Sequence, residues 1–202
     1  MPDSFQLVAG HVALDFANTL DNRYDPERRI ELLPSYERLV AFARQSGILT
    51  QGQANRLARL SGPSRNGIVL ARAIELRETL YSLFRSAATG GPPNRRALAS
   101  LNRFLSETSQ PRTIEWKRNQ FSWRAADFAA TPDAPLTAIV EAAAALLTSD
   151  ERTLVRECSA PACRWLFLDH SKNHSRRWCD MKVCGNRAKA RSFHARRLDP
   201  AV

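Results

Sequence analysis

The sequence Cys158-Ser-Ala-Pro-Ala-Cys163 is followed, after fifteen residues, by Cys179-Asp-Met-Lys-Val-Cys184, and these two segments contain all four cysteines of the 202-residue chain. Zinc takes four tetrahedral ligands in structural sites, and cysteine thiolates are among the ligands it prefers. Each Cys-x4-Cys pair can bring its two sulfur atoms toward one point through a tight turn. The spacing therefore predicts a structural Zn²⁺ site formed by Cys158, Cys163, Cys179 and Cys184.

Other uses of four cysteines fit the sequence less well. The chain opens Met-Pro-Asp-Ser-Phe-Gln, without a basic region followed by an apolar core, so we expect a reducing cytoplasmic setting rather than disulfides. Iron–sulfur clusters and redox pairs usually contain Cys-x2-Cys, which this chain lacks. His170 and His174 lie between the cysteine pairs and could replace a thiol ligand, although a solvated loop is the simpler expectation for them.

A resemblance to a known family follows from the residues after the second pair. Cys184-Gly185-Asn186-Arg187 resembles the signature of the CGNR zinc-finger family, and Leu14-Asp15-Phe16-Ala17-Asn18-Thr19 resembles the opening motif of the ABATE domain that precedes this finger. The resemblance covers nearly the whole chain. It implies a stress-induced transcription regulator whose zinc finger lies at the C-terminus.

Positive charge is concentrated in the C-terminal quarter of the chain. The formal net charge is +10, but residues 1–150 hold 18 Lys and Arg against 15 Asp and Glu, whereas residues 151–202 hold 12 against 5. Such a basic segment suits phosphate backbones or an anionic membrane surface, and a solvated charged face is the alternative. No apolar run approaches the length that a transmembrane helix needs, so we expect no membrane partner.

Helical periodicity dominates residues 1–150, which we predict to form one helical domain that folds alone. Apolar residues recur at intervals of three and four in the longest predicted helix, 67–88. The other predicted helices are 12–20, 35–45 with Ser35 as N-cap, 51–60 with Thr50 as cap, 94–106 with Asn94 as cap, and 136–147. A short strand is predicted at 5–9, and alternation predicts a β-hairpin from 113–116 and 121–124.

The predicted fold class is thus mainly α with a small β-hairpin, followed by a small α+β zinc finger with four cysteine ligands over residues 151–202. In the finger we expect strands at 154–156 and 164–168, a core of Trp165, Phe167 and Trp178, and a final helix after Cys184. A helical wheel places Asn186, Ala190, Phe193 and the stem of Arg197 on the side that can face this core. The opposite side carries small residues flanked by arginines, and we predict nucleic-acid contacts from Arg187, Lys189, Arg191, Arg196 and Arg197.

Polar residues near the N-terminus form a second candidate site. Asp15, Asn18 and Thr19 share one face of the first predicted helix, with Arg23 nearby, and could bind a polar small molecule. The alternative is that they cap the helix and fix the loop that follows it. The hairpin aromatics Trp116 and Trp123 could likewise stack on bases, but packing against the helices is the expectation we prefer.

These patterns favour a DNA-binding transcription regulator over an enzyme. The sequence contains no Gly-rich phosphate loop, Gly-x-Ser-x-Gly elbow or His-Glu-x-x-His pair, and four cysteines would leave a zinc ion no open position. DNA is the expected partner, and the helical domain is expected to act as a sensor or to form a homodimer. A finger that contacts protein is the first alternative, and an enzyme or sensor with Asp15 as an acid or base is the second.

Overall fold

The longest helix forms the centre of the molecule in the computed structural model. The structure describes residues 4–60, 62–108, 113–117, 119–124 and 131–198. Helix α4 spans Pro63–Thr89 and begins four residues before the predicted start, because Pro63 occupies the first turn, where its missing N–H is not needed. It ends at Gly90, whose φ of 69° is the left-handed conformation typical of a helix C-terminus.

The shorter helices pack around α4 and largely match the predicted ones. They are α1 (Val12–Ala17), α2 (Tyr36–Gln45), α3 (Gln51–Leu60), α5 (Arg95–Thr108) and α6 (Ala134–Thr148). Helices α1, α2, α5 and α6 all contact α4. The side chain of Asn94 accepts hydrogen bonds from the backbone N–H groups of Arg96 and Ala97, which confirms the predicted cap of α5.

Helix α3 begins with a reciprocal cap. The Thr50 hydroxyl accepts a hydrogen bond from the Gln53 N–H at 3.3 Å, and the Gln53 side chain accepts one from the Thr50 N–H at 2.9 Å. This arrangement satisfies two backbone donors that a helix start leaves without partners. The Thr50 cap predicted from the sequence is therefore confirmed.

Two predictions near the N-terminus are wrong. The first helix ends at Ala17 rather than residue 20, because the chain turns there into strand β1, Leu20–Asp21, which pairs with β2, Ile30–Glu31. Residues 5–9 do not form a strand. The carbonyl of Ala9 instead accepts a single hydrogen bond from the Leu168 N–H at 2.8 Å, near the C-terminal end of the chain.

The predicted β-hairpin is present. Strand β3, Thr113–Lys117, pairs antiparallel with β4, Gln120–Arg124, in a register that places Trp116 opposite Phe121. The expected packing of Trp116 against the helices is wrong, since its side chain is 58% exposed and its ring contacts that of Phe121 at a centroid distance of 4.7 Å. The side chain of Trp123 lies outside the described residues.

The C-terminal part consists of short elements. A 3₁₀ turn, Asp150–Leu154, leads into strand β5, Val155–Glu157, which pairs antiparallel with β6, Leu166–Leu168. A π-helical turn, Met181–Gly185, precedes the last helix, α7, Asn186–Leu198. The fold is mainly α with small β elements, as predicted, and no described helix is long and apolar enough to cross a membrane.

The N-terminal helices and the C-terminal strands share one hydrophobic core. Strand β6 contacts α1 and α4, and β5 contacts α4. Leu166 and Phe167 are fully buried in the same cluster as Leu14, Phe16 and Leu80. The domain boundary at residue 150 remains a prediction from the sequence. Described residues from both sides of it pack into the same core.

Candidate metal centre

The four cysteines converge at the end of the β5–β6 hairpin. Their sulfur atoms all lie within 4.8 Å of one another, and all four residues are buried. Cys179 Sγ lies 3.6 Å from Cys163 Sγ and 3.8 Å from Cys184 Sγ. A tetrahedron with metal–sulfur bonds of about 2.3 Å has sulfur–sulfur edges of about 3.8 Å, so the arrangement fits a bound zinc ion.

The separations exclude disulfides in this structure, since a disulfide needs an S–S distance of about 2.05 Å. Hydrogen bonding among the thiols lowers the pKa of Cys158 and raises that of Cys179, because thiols packed this closely share protons rather than ionising together. A divalent cation among them would hold all four as thiolates. The chemistry of the cluster is therefore that of a metal-binding site.

The first cysteine turn is built from backbone hydrogen bonds and a contact from α4. The Cys158 N–H donates to the Trp165 carbonyl at 2.7 Å, and the Cys163 N–H donates to the Ala160 carbonyl at 3.1 Å. Arg164 then adopts a φ of 57°, which reverses the chain into β6. The Tyr81 hydroxyl, on α4, lies 3.1 Å from the Arg164 carbonyl, so the central helix fixes the turn that positions these two ligands.

The second cysteine turn packs closely around Gly185. A Cβ atom at this position would lie 2.9 Å from the end of the Met181 side chain and 3.4 Å from Trp178, so a larger residue would require the flexible Met181 side chain to move. The Gly185 N–H donates to the Asp180 carbonyl at 3.1 Å, and the Asp180 side chain accepts from the Lys182 N–H at 2.6 Å. These hydrogen bonds shape the turn through which the chain passes from Cys184 into α7.

Two residues that the sequence analysis missed organise the segment between the cysteine pairs. Asp169 is fully buried, and its carboxylate accepts hydrogen bonds from the N–H groups of Ser171 at 3.0 Å and Arg176 at 2.9 Å. The Arg176 guanidinium lies 4.4 Å from the centre of the Phe167 ring and donates to the carbonyls of Trp178 and Cys179. The predicted core is also present, since Trp165 and Phe167 are buried and Trp178 is partly buried.

Neither histidine between the pairs belongs to the cluster. His174 Nδ1 lies 2.9 Å from the Asp169 carbonyl, and the His170 side chain is 55% exposed near Glu151. The position of His174 is thus explained by its carbonyl contact, and that of His170 by exposure to solvent. The ligand set that the structure brings together is the four cysteines.

Helix α7 follows the second cysteine turn directly, and its described basic residues lie on the surface. Arg187, Lys189 and Arg191 are exposed. The side chains of Arg196 and Arg197 lie outside the described residues. The expectation that Asn186, Ala190 and Phe193 face the core is wrong, since all three are exposed, Phe193 by 53%.

The N-terminal polar residues lie together, but their polar groups are engaged by the protein. Asp15 accepts a hydrogen bond from the Ala9 N–H at 3.0 Å, and burial raises its pKa to about 6. Thr19 donates to the Phe16 carbonyl at 2.8 Å. Arg23 pairs with Glu78 and lies 3.9 Å from the centre of the Tyr81 ring.

Asn18 connects the first helix to the metal-binding part of the chain. Its side-chain amide donates to the Leu166 carbonyl at 2.8 Å and accepts from the Leu166 N–H at 2.9 Å. Asp15, Asn18, Thr19 and Arg23 thus have structural roles, as in the alternative to a small-molecule site. Asn18, however, binds to strand β6 and not to the loop that follows α1. A small-molecule site at these residues stays a prediction.

Comparison with known proteins agrees with the resemblance. Residues 10–150 match the ABATE family model, described as "Putative stress-induced transcription regulator". Residues 155–197 match the model of the CGNR zinc finger. No curated protein matches the chain.

Proposed function

Since the chain belongs to the ABATE family and carries a CGNR zinc finger, we propose that it is a transcription regulator that binds DNA through helix α7. One observation carries this proposal: the metal-binding turn leads directly into α7, whose described basic residues are exposed. Guanidinium and ammonium groups on an exposed helix can neutralise phosphates. A metal-fixed helix start would hold those groups in one orientation.

We propose Zn²⁺ as the metal. The four thiolates suit zinc, and two of their sulfur–sulfur distances, 3.6 and 3.8 Å, are close to the edge of its coordination tetrahedron. A site closed by four protein ligands leaves no position for substrate or activated water. The metal would then serve folding, and we propose no catalytic role for it.

A DNA-binding assay at several salt concentrations tests the proposal. Each phosphate contact contributes about −0.9 to the slope of log affinity against log salt concentration, so four or five contacts imply a slope near −4. Arg191→Ala should flatten this slope by about one if Arg191 contacts phosphate, or relax sequence preference at a cost of about 1–3 kcal/mol if it contacts a base edge.

The matched control is Arg59→Ala, which removes an exposed arginine from α3. It should leave the affinity and the slope unchanged. If the zinc-loaded protein has no DNA affinity at low salt, or if its affinity survives Arg191→Glu combined with Arg196→Glu, the proposal fails. The finger would then be assigned to protein contacts.

A further inference from the structure

An open cleft lies between the metal centre and the loop that joins β1 to β2. Its volume is about 580 Å³. One wall belongs to the β1–β2 loop of the helical part, and the other belongs to the first cysteine turn and the start of α7. The walls include Glu27, Arg28, Arg29, Cys184, Arg187 and Arg191.

The cleft is rich in arginine. Four arginines line it against one carboxylate, that of Glu27. Arg28 lies 3.8 Å from Asp25, yet its side chain remains 79% exposed. In the described part of the chain, no ion pair involves Arg29, Arg187 or Arg191.

Three arginines elsewhere in the helical part are held by carboxylates. Arg23 pairs with Glu78, Arg72 with Glu107 at 2.6 Å, and Arg77 with Glu31 at 2.6 Å. An anion that approached those arginines would have to compete with a carboxylate already in place. Among the described residues, an anion that entered the cleft would break no ion pair of Arg29 or Arg191, which makes the cleft a more favourable site than those three arginines.

We infer that this cleft binds DNA backbone phosphates, so that the β1–β2 loop forms a second part of the DNA interface. The inference rests on the proposed function and extends it to the helical part. Arginine suits this role because its guanidinium group can donate two parallel hydrogen bonds to one phosphate. Arg191 lies both on the cleft wall and on the exposed surface of α7, so a strand that contacts α7 can continue into the cleft.

The arginines of the cleft differ in the role we assign to them. Arg187 follows Cys184 by three residues, and four thiolates around Zn²⁺ carry a net charge of −2. We assign Arg187 to offsetting part of that charge. Arg28, Arg29 and Arg191 then remain for phosphate, and Glu27 together with the uncompensated charge of the site reduces their combined charge to about +1 without cancelling it.

The test compares two double variants of the full-length, zinc-loaded protein in DNA titrations over a series of salt concentrations. Arg28→Ala/Arg29→Ala removes the loop arginines, and Arg95→Ala/Arg96→Ala removes another exposed adjacent pair at the start of α5. The loop variant should flatten the salt slope by about two, and the α5 variant should leave it unchanged. Zinc content and the helical circular dichroism signal should match wild type in both.

Two results would overturn the inference while leaving the proposed function intact. One is an unchanged slope in the loop variant when Arg191→Ala does flatten it. The other is saturable ATP binding that is lost in the loop variant while the DNA slope stays unchanged, which would assign the cleft to a free nucleotide. Absence of DNA binding by the wild-type protein is a different result, because it removes the proposed function itself.

Discussion

Replacing Asn18 should destabilise the whole protein, because its side chain satisfies both backbone groups of a residue on the metal-binding hairpin. Asn18 is 3% exposed and Leu166 is fully buried. The two hydrogen bonds, at 2.8 and 2.9 Å, join positions 148 residues apart in the sequence. Their loss leaves a buried N–H and a buried carbonyl without partners.

Each buried polar group left unsatisfied costs about 1–3 kcal/mol. We therefore expect Asn18→Leu to lower the free energy of unfolding by about 3 kcal/mol, which in a protein of this size corresponds to a fall in Tm of about 6–12 °C. Asn18→Ala should cost less, because the space it opens can admit a water molecule that partners both groups. Leucine is similar in size to asparagine and excludes that water.

Urea unfolding of the zinc-loaded protein, followed by circular dichroism, measures the effect as a change in midpoint at constant m-value. Asn55→Ala is the control, since Asn55 lies on the exposed surface of α3 and accepts its hydrogen bond from Gln51. It should change stability by less than about 0.5 kcal/mol. If the free energy of unfolding of Asn18→Leu lies within about 1 kcal/mol of wild type, the two hydrogen bonds do not stabilise the protein as expected. A ligand-binding role for Asn18 would then be the better explanation of its position.

Four further predictions concern the metal, the N-terminal carboxylate and the helices. Elemental analysis of the reduced protein should find about one zinc per chain, and Cys179→Ala should lower this content because three thiolates leave the tetrahedron incomplete; iron, or an unchanged content in the variant, would contradict the assignment. Burial raises the pKa of Asp15 to about 6, above its unfolded value of about 3.9, so the stability contributed by the protonated form is complete below about pH 4 and is lost as pH rises through 6. Relative to Asp15→Asn, wild type should thus lose about 2 kcal/mol between pH 4 and pH 7 in urea unfolding, and a pH-independent difference would show that the carboxyl group does not titrate in this range. Thr50→Ala should cost about 1 kcal/mol by removing the α3 cap, measured in the same way with Thr148→Ala at an exposed helix end as control. A strong chelator should leave most of the helical signal of residues 1–150, which contain no cysteine; loss of that signal in one transition would contradict their predicted independence from the metal.

The sequence was most informative where local chemistry decides structure. Helices α2, α3 and α5 begin directly after Ser35, Thr50 and Asn94, as apolar periodicity predicts, although the Ser35 side chain makes no capping hydrogen bond. The cluster of four cysteines was expected from their spacing, because a tetrahedral site needs four donors and the chain has four thiols. In each case the interacting groups lie close together along the chain or are the only candidates of their kind.

Long-range packing explains most of what the sequence left undecided. Nothing near Asn18 indicates a partner on β6, since that contact depends on how α1 and the hairpin meet. The 53% exposure of Phe193 has a related cause, because the side of α7 that becomes covered depends on how the helix is placed relative to the rest of the chain. The helical wheel orders side chains around an axis but does not fix the direction of that axis.

The buried carboxylate of Asp169 affects how readily the site could take up a metal ion. Closing a flexible segment of fifteen residues costs about 2 kcal/mol of chain entropy, a cost that would normally be set against metal affinity. In the folded protein the segment between Cys163 and Cys179 is held by hydrogen bonds to the Asp169 carboxylate and by the Arg176 side chain. These contacts would help the metal–sulfur bonds to offset that entropic cost, so less of the binding free energy of the metal would be used to order the loop.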